Sequence, residues 1–193
     1  KKFPNLKEIT RYLKEKPIVS KIGIVKKIRN GKLKSRLVVD SKQSKVSAAT
    51  RKFERTLLPR AIDVAHDILG LKAAAVKDGE NPSAMDCLIA DFQDAFFILP
   101  NHPDERRWFV VQFRGEWYVF LRTTQGSRGA PLTWGRFAAL IARLTQSVTD
   151  VRRTRLNTYV DDPILIARGS KADRDMIYAI VLSIWSALGL PLS

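Results

Sequence analysis

The sequence predicts an α+β fold in which an antiparallel sheet is backed by helices. Three observations point there. From Cys87 onward the pattern runs strand, hairpin, helix, strand pair, helix. The paired strands are joined by short polar turns, Arg114-Gly115-Glu116 in one case and Asp161-Asp162 in the other. The helices between them each keep an apolar face, so they can cover one side of a sheet and leave its edge turns free to carry a site.

Each element follows from local chemistry. Asn5 to Glu15 places Leu6, Ile9 and Leu13 on one helical face, and Pro17 stops it. Val19 to Ile28 alternates as a strand, Asn30-Gly31 is a tight-turn signal, and Arg36 to Val39 resumes an extended run, a basic hairpin. Thr56 to Leu71 reads as a helix with Pro59 near its start and Gly70 near its end, followed by a polar connection from Lys77 to Ser83. Cys87 to Ala90 is a short buried strand ending at Asp91, with Cys87 a buried small apolar residue. Trp108 to Phe113 and Trp117 to Leu121 form a hairpin, and Leu132 to Val148, opened by Pro131, is a helix. Leu156 to Val160 and Ile164 to Ala167 are strands flanking Asp161-Asp162, and Lys171 to Leu188 is the last helix. Trp108, Trp117, Trp134 and Trp185 read as core or hairpin packing.

Composition removes several classes. With 193 residues, 45% hydrophobic and 27% charged, the chain can bury a core. One cysteine excludes an intrachain disulfide framework, and two histidines with it cannot complete a tetrahedral zinc shell. The longest apolar stretch, Met176 to Leu190, is 15 residues and is broken by Ser183 and Ser186, short of the roughly 18 a membrane span needs. The chain starts at Lys1 with no signal-peptide pattern and reads as a fragment or processed product of a soluble, intracellular protein. The charge is uneven. Residues 1–60 hold 13 Lys and 6 Arg against Asp40, Glu8, Glu15 and Glu54, a net +15 that equals the net charge of the whole chain. A basic block on a neutral body suits a polyanion, nucleic acid above all.

The carboxylates are the chemical signal. Asp161 and Asp162 repel one another between apolar strands, which calls for a nearby cation, although a turn also favours Asp for capping its own amides. Asp91 and Asp94 form a second cluster at another strand end. Strand-terminal acids meeting across a sheet make a hard, all-oxygen site for Mg²⁺ or Mn²⁺. Two such ions, about 3.5 to 4 Å apart, clamp the attacking and leaving oxygens in phosphoryl or nucleotidyl transfer.

Four segments, Arg36-Leu37-Val38-Val39-Asp40, Asp91-Phe92-Gln93-Asp94-Ala95-Phe96-Phe97, Gln125-Gly126-Ser127-Arg128-Gly129-Ala130-Pro131 and Tyr159-Val160-Asp161-Asp162, stand in this order. In that order the chain, from about Ile22 to Leu192, resembles reverse transcriptases of retroviruses and LTR-type retrotransposons. The resemblance implies a polymerase palm, an antiparallel ferredoxin-like sheet backed by helices, with a basic fingers subdomain. Residues 1–86 are then mostly fingers and 87–193 mostly palm, with fingers strands interleaved at 100–125. The thumb, the lysine expected beyond the segment Leu188 to Ser193, and RNase H, integrase and protease regions are not among these residues. Pro163 departs from the family's branched aliphatic residue and should begin its strand at an edge or forfeit a ladder bond.

The same resemblance assigns roles. Asp91 and Asp161 bind two Mg²⁺ ions, Asp162 completes the catalytic triad, and the backbone carbonyl of Phe92 is a further metal ligand. The amides of Asp94 and Ala95 hold the triphosphate of a dNTP, so Asp94 is not itself a metal ligand. Phe96 lies under the incoming sugar and selects deoxynucleotides, Gln125 touches the sugar and its 3′ hydroxyl, and Arg36 lies over the base and reaches the phosphates. Lys27 or Arg29 adds a triphosphate contact. The implied activity is RNA-directed DNA polymerisation on an RNA or DNA template with a primer, in the cytoplasm or nucleus. A co-opted copy that binds nucleic acid without catalysis is the alternative, and an RNA-dependent RNA polymerase is disfavoured by Phe96.

Overall fold

The computed structural model describes residues 1–29 and 31–193; Asn30, and with it the expected Asn30-Gly31 turn, lies outside the described residues, as do the side chains of Arg29, Lys32 and Lys34. In chain order the elements are β1 (Lys2–Phe3), α1 (Leu6–Leu13), β2 (Val19–Arg29), β3 (Lys32–Asp40), α2 (Val46–Ala49), α3 (Ala61–Lys77), β4 (Met85–Ile89) and α4 (Ala95–Ile98). A 3-10 helix over Pro103–Trp108 follows, then β5 (Val110–Phe113), β6 (Glu116–Val119), α5 (Ala130–Ser147), β7 (Thr154–Tyr159), β8 (Asp162–Arg168) and α6 (Lys171–Ala187). The chain divides into two compact units, the first of residues Lys1–Arg55 and Phe96–Thr133, the second of Thr56–Ala95 and Trp134–Ser193.

The first unit carries a five-stranded mixed sheet in the order β1-β6-β5-β2-β3, in which β2 runs parallel to β5 and every other pair is antiparallel. Its core is small: Phe3, Ile9, Val110 and Val119, with Tyr12, Leu13 and Trp117 packed against them. Helix α1 supplies Ile9 because Asn5 caps it, the Asn5 side chain accepting from the Glu8 amide at 3.0 Å. Buried Asn101 donates to the carbonyls of Phe120 and Arg122 and accepts from Thr123, so no polar atom of that side chain is stranded.

The second unit is built on a three-stranded antiparallel sheet, order β4-β8-β7. Central strand β8 buries Leu165, Ile166 and Ala167, helix α6 packs on β8 and β4, and α3 packs on β7 and β8. Trp134, Trp185, Phe92, Leu71 and Val181 fill the interior. Among the described residues no helix is long and apolar enough to cross a membrane.

Several expectations change. The sheet is not single: the hairpin β5–β6 joins the first unit, and only β4, β7 and β8 form the all-antiparallel sheet. Helix α3 folds with that second sheet. It starts at Ala61 rather than Thr56 because Pro59 keeps Leu58 out of the helical region, and Arg60 then caps it, with its amide donating to Asp63 at 2.7 Å. It runs past Gly70 to Lys77, an interior glycine being a modest cost once Leu71 and Ala75 are buried. Residues 103–108 coil before β5 begins, because His102-Pro103 opens a 3-10 turn. Cys87 is exposed, not buried, because β4 is an edge strand. Pro163 lies in the central strand β8 opposite Thr158; it adds no amide to the ladder, and its carbonyl accepts from Ala90 at 3.2 Å.

Candidate functional site

Hairpin β7–β8 closes through two residues, Val160 and Asp161, between the paired Tyr159 and Asp162. Tight two-residue turns need positive φ, and Val160 supplies it at 57°. The indole N–H of Trp134 donates to the Val160 carbonyl at 2.5 Å. Asp161 therefore sits at the tip and Asp162 at the first position of β8.

Asp91 reaches the same place from β4. The pairing of β4 with β8 ends at Ile89 opposite Ile164, and the chain stays alongside the turn because the Phe92 amide donates to the Asp161 carbonyl at 2.9 Å. Its other edge is held by residues near the end of α6's following segment: Gln93 donates to Pro191 at 2.8 Å and Ser193 donates to the Asp91 carbonyl at 3.0 Å. The Ser193 hydroxyl also donates to Asp91 Oδ2 at 2.7 Å. The two acid-bearing segments are thus joined by backbone bonds, although Asp91 and Asp161 are 70 residues apart in number.

The electrostatics reflect this crowding. The Asp162 carboxyl is pushed above the ordinary carboxylate value, first by partial desolvation and then by the negative charges of Asp161 and Asp91. Asp161 and Asp91 are near enough for their charges to act on Asp162, and carboxylates with a backbone carbonyl such as that of Phe92, to which no described residue donates, are hard oxygen donors of the kind that suits Mg²⁺ or Mn²⁺. As the side chains stand, no group of three or more His, Cys, Asp or Glu among the described residues is disposed to hold a metal ion.

Asp94 follows in the left-handed region at φ 52°, turning the chain into α4. Among the described residues neither the Asp94 nor the Ala95 amide finds an acceptor; Asp94 is exposed and Ala95 is buried. These groups, with Asp91, Phe92, Asp161 and Asp162, all belong to the second unit.

The remaining expected residues belong to the first unit. Phe96 is half-buried in α4. Arg36 pairs with Val25 across β2–β3, so the two-residue period puts Arg36 on the same face as exposed Lys27, with Lys21 further along. The opposite face is apolar and exposed through Ile24, Ile28, Leu33 and Leu37. Arg29 ends β2, and its side chain is outside the described residues. Gln125 is half-buried, and among the described residues nothing hydrogen-bonds its amide. Its neighbour Gly126 has φ +95° and lies so close to β3 that an added Cβ would stand 2.7 Å from the Val39 carbonyl. The Ser41 hydroxyl donates to the Gly126 carbonyl at 3.0 Å, and Arg128 donates to the Ser47 carbonyl at 3.1 Å. Since Ser41 spends its one proton on Gly126, Ser47 is the donor in their 2.7 Å contact.

Sequence reasoning missed Ser193, Ser41 and the polar side of Trp134. None carries a local signal: serines are common in turns, and a tryptophan in an apolar helix face reads as packing. No protein-family model matches the chain, and no curated protein matches it.

Proposed function

We propose that the chain is the fingers and palm portion of an RNA-directed DNA polymerase, transferring a nucleotide from a dNTP to a primer 3′ hydroxyl. The observation that carries this reading is the 2.9 Å bond from the Phe92 amide to the Asp161 carbonyl, which unites the two acid-bearing segments. In this reading the second unit supplies the palm and the first the fingers. Asp91, Asp161 and Asp162, with the Phe92 carbonyl, hold two Mg²⁺ ions. Bound there, such ions would supply the Lewis acidity that activates a primer hydroxyl and the positive charge that offsets that of the leaving pyrophosphate.

The chain's own residues do the rest. The free amides of Asp94 and Ala95 donate to phosphate oxygens, and Arg36, on the basic face with Lys27, adds a planar fork over base and phosphate. Phe96 fills the space of a ribose 2′ hydroxyl, and Gln125, its amide unspent, serves the sugar. Primer extension on an RNA template with Mg²⁺ tests the reading: Asp91→Asn and Asp161→Asn each abolish incorporation, and undiminished extension by both refutes the metal-ligand roles.

A second reading, a co-opted nucleic-acid-binding module without catalysis, draws on one observation. The β2–β3 hairpin sets exposed Lys21, Lys27 and Arg36 on one face within a segment that holds the entire net charge. Salt-sensitive binding without extension at any Mg²⁺ or Mn²⁺ concentration selects it.

A further inference from the structure

Val160 is the strained point of the acid-bearing hairpin. Its φ of 57° lies in the left-handed region. For a β-branched residue that conformation is a true outlier, and it persists only where surrounding structure over-determines it. One restraint is evident. Trp134, fully buried in α5, donates its indole N–H to the Val160 carbonyl at 2.5 Å.

The same ring also reaches the other acid-bearing segment. Trp134 meets Phe92 edge-on, with ring centroids 5.7 Å apart and planes at 71°. Phe92 lies next to Asp91 and donates its amide to Asp161. On its far side Phe92 meets Trp185 at 5.2 Å, and the Trp185 indole is itself tied to Thr145 Oγ1 at 2.9 Å. One indole therefore grips the turn by a hydrogen bond and the Asp91 segment by ring contact, from helices that are anchored to each other. Packing alone would need the ring; it would not need the N–H aimed at the carbonyl of the residue in strain.

We propose that Trp134 is a positioning residue whose N–H holds Val160 in the left-handed conformation and thereby sets the reach of Asp161 and Asp162 relative to Asp91. What the acids hold rests on the polymerase reading; the restraint itself does not. It predicts that the donor, rather than the bulk of the side chain, governs divalent-ion affinity.

The test uses the full chain with three substitutions. Trp134→Phe removes the donor and some volume. Replacement of Trp134 by benzothienylalanine, in which sulfur takes the place of the indole N–H, removes the donor alone. Val160→Gly, added to Trp134→Phe, removes the strain, since glycine accepts positive φ. Mn²⁺ affinity is read by electron paramagnetic resonance of the free ion, and hydrogen exchange is followed at the Phe92 amide. The expected result is weakening of Mn²⁺ binding by about tenfold in the sulfur analogue, the lower end of what outer partners of metal ligands cost. Exchange at Phe92 accelerates in parallel, and Val160→Gly restores part of both. Unchanged exchange at Phe92 in the analogue overturns the proposal, as does unchanged Mn²⁺ affinity in an analogue of a chain that binds the ion; absence of Mn²⁺ binding by the unsubstituted chain overturns the polymerase reading, and exchange at Phe92 then decides the role of Trp134 alone. If the unsubstituted chain binds Mn²⁺ but extends no primer, the polymerase reading fails, and the analogue still decides the role of Trp134.

Discussion

Arg168 donates Nη1 to Glu80 Oε2 at 2.6 Å from a position 1% exposed, at the end of the central strand of the second unit. Its other nitrogens serve Asp78 and, at 2.6 Å, the Arg152 carbonyl, so each of the three guanidinium nitrogens donates to an acceptor. Arg152 and Arg153 bind the same two acids from the loop before β7. The polar connection after α3 is thereby tied to β7 and β8, the strands that present the acid-bearing turn.

Arg168→Ala leaves two carboxylates without their main partner. We expect a loss of about 3 kcal/mol in urea unfolding, the lower end for a broken buried pair because both acids keep some solvent contact. Arg168→Lys does not restore it, since an ammonium cannot fork between two carboxylates and a carbonyl.

The same cluster sets an acid limit. The Asp78 carboxyl is held below its ordinary value of 3.8, chiefly by its hydrogen bond to Arg168, with Arg152 and Arg153 adding to it. Asp173 is lowered likewise by its bonds to Ser170 at the start of α6. The folded state therefore binds protons less readily than the unfolded one, and the stability this confers is complete above 3.8 and lost as pH falls below it. A fluorescence-monitored melt series should show a steep drop below about pH 4 that Arg168→Ala makes shallower.

Asp162 has the opposite sign. Its carboxyl is raised, by desolvation first and then by Asp161 and Asp91, so its ionised form works against the fold above its folded value and is relieved as pH falls through it. Asp162→Asn should raise the melting temperature of the chain at neutral pH by no more than about 2 °C, given its exposure, and on the proposed reading it lowers divalent-ion affinity.

Gly126→Ala forces a Cβ to 2.7 Å from the Val39 carbonyl at a φ of +95°. The loop must lift from β3, which on the proposed reading displaces Gln125. The KM for dNTP should rise about tenfold or more, and Ser41→Ala should give a milder rise of about fivefold, the scale of one neutral hydrogen bond.

Lys27→Glu and Arg36→Glu test the basic face of the β2–β3 hairpin. Each should weaken polynucleotide binding across all sequences and reduce the slope of log affinity against log salt by about one or more. Ile24→Ser, on the opposite face, should leave the slope unchanged.

The amino acids by themselves determined what local periodicity and charge can encode: the short helix that Pro17 stops, the alternating basic hairpin, the concentration of positive charge in residues 1–60, and two acids wedged between apolar runs. These depend on neighbours within a few positions, and the structure places them in the expected kinds of element. Partnership between strands does not depend on neighbours. That β5 runs beside β2 while β4 runs beside β8 is settled by which apolar faces can be buried together, so the single expected sheet became two and Cys87, on an edge strand, came to lie exposed. The meeting of Phe92 with Asp161, the grip of Trp134 on Val160 and the hold of Ser41 on Gly126 are likewise contacts between segments far apart in the chain. A hydrogen bond of that kind is specified by the packing that brings donor to acceptor, and no spacing in the sequence records it.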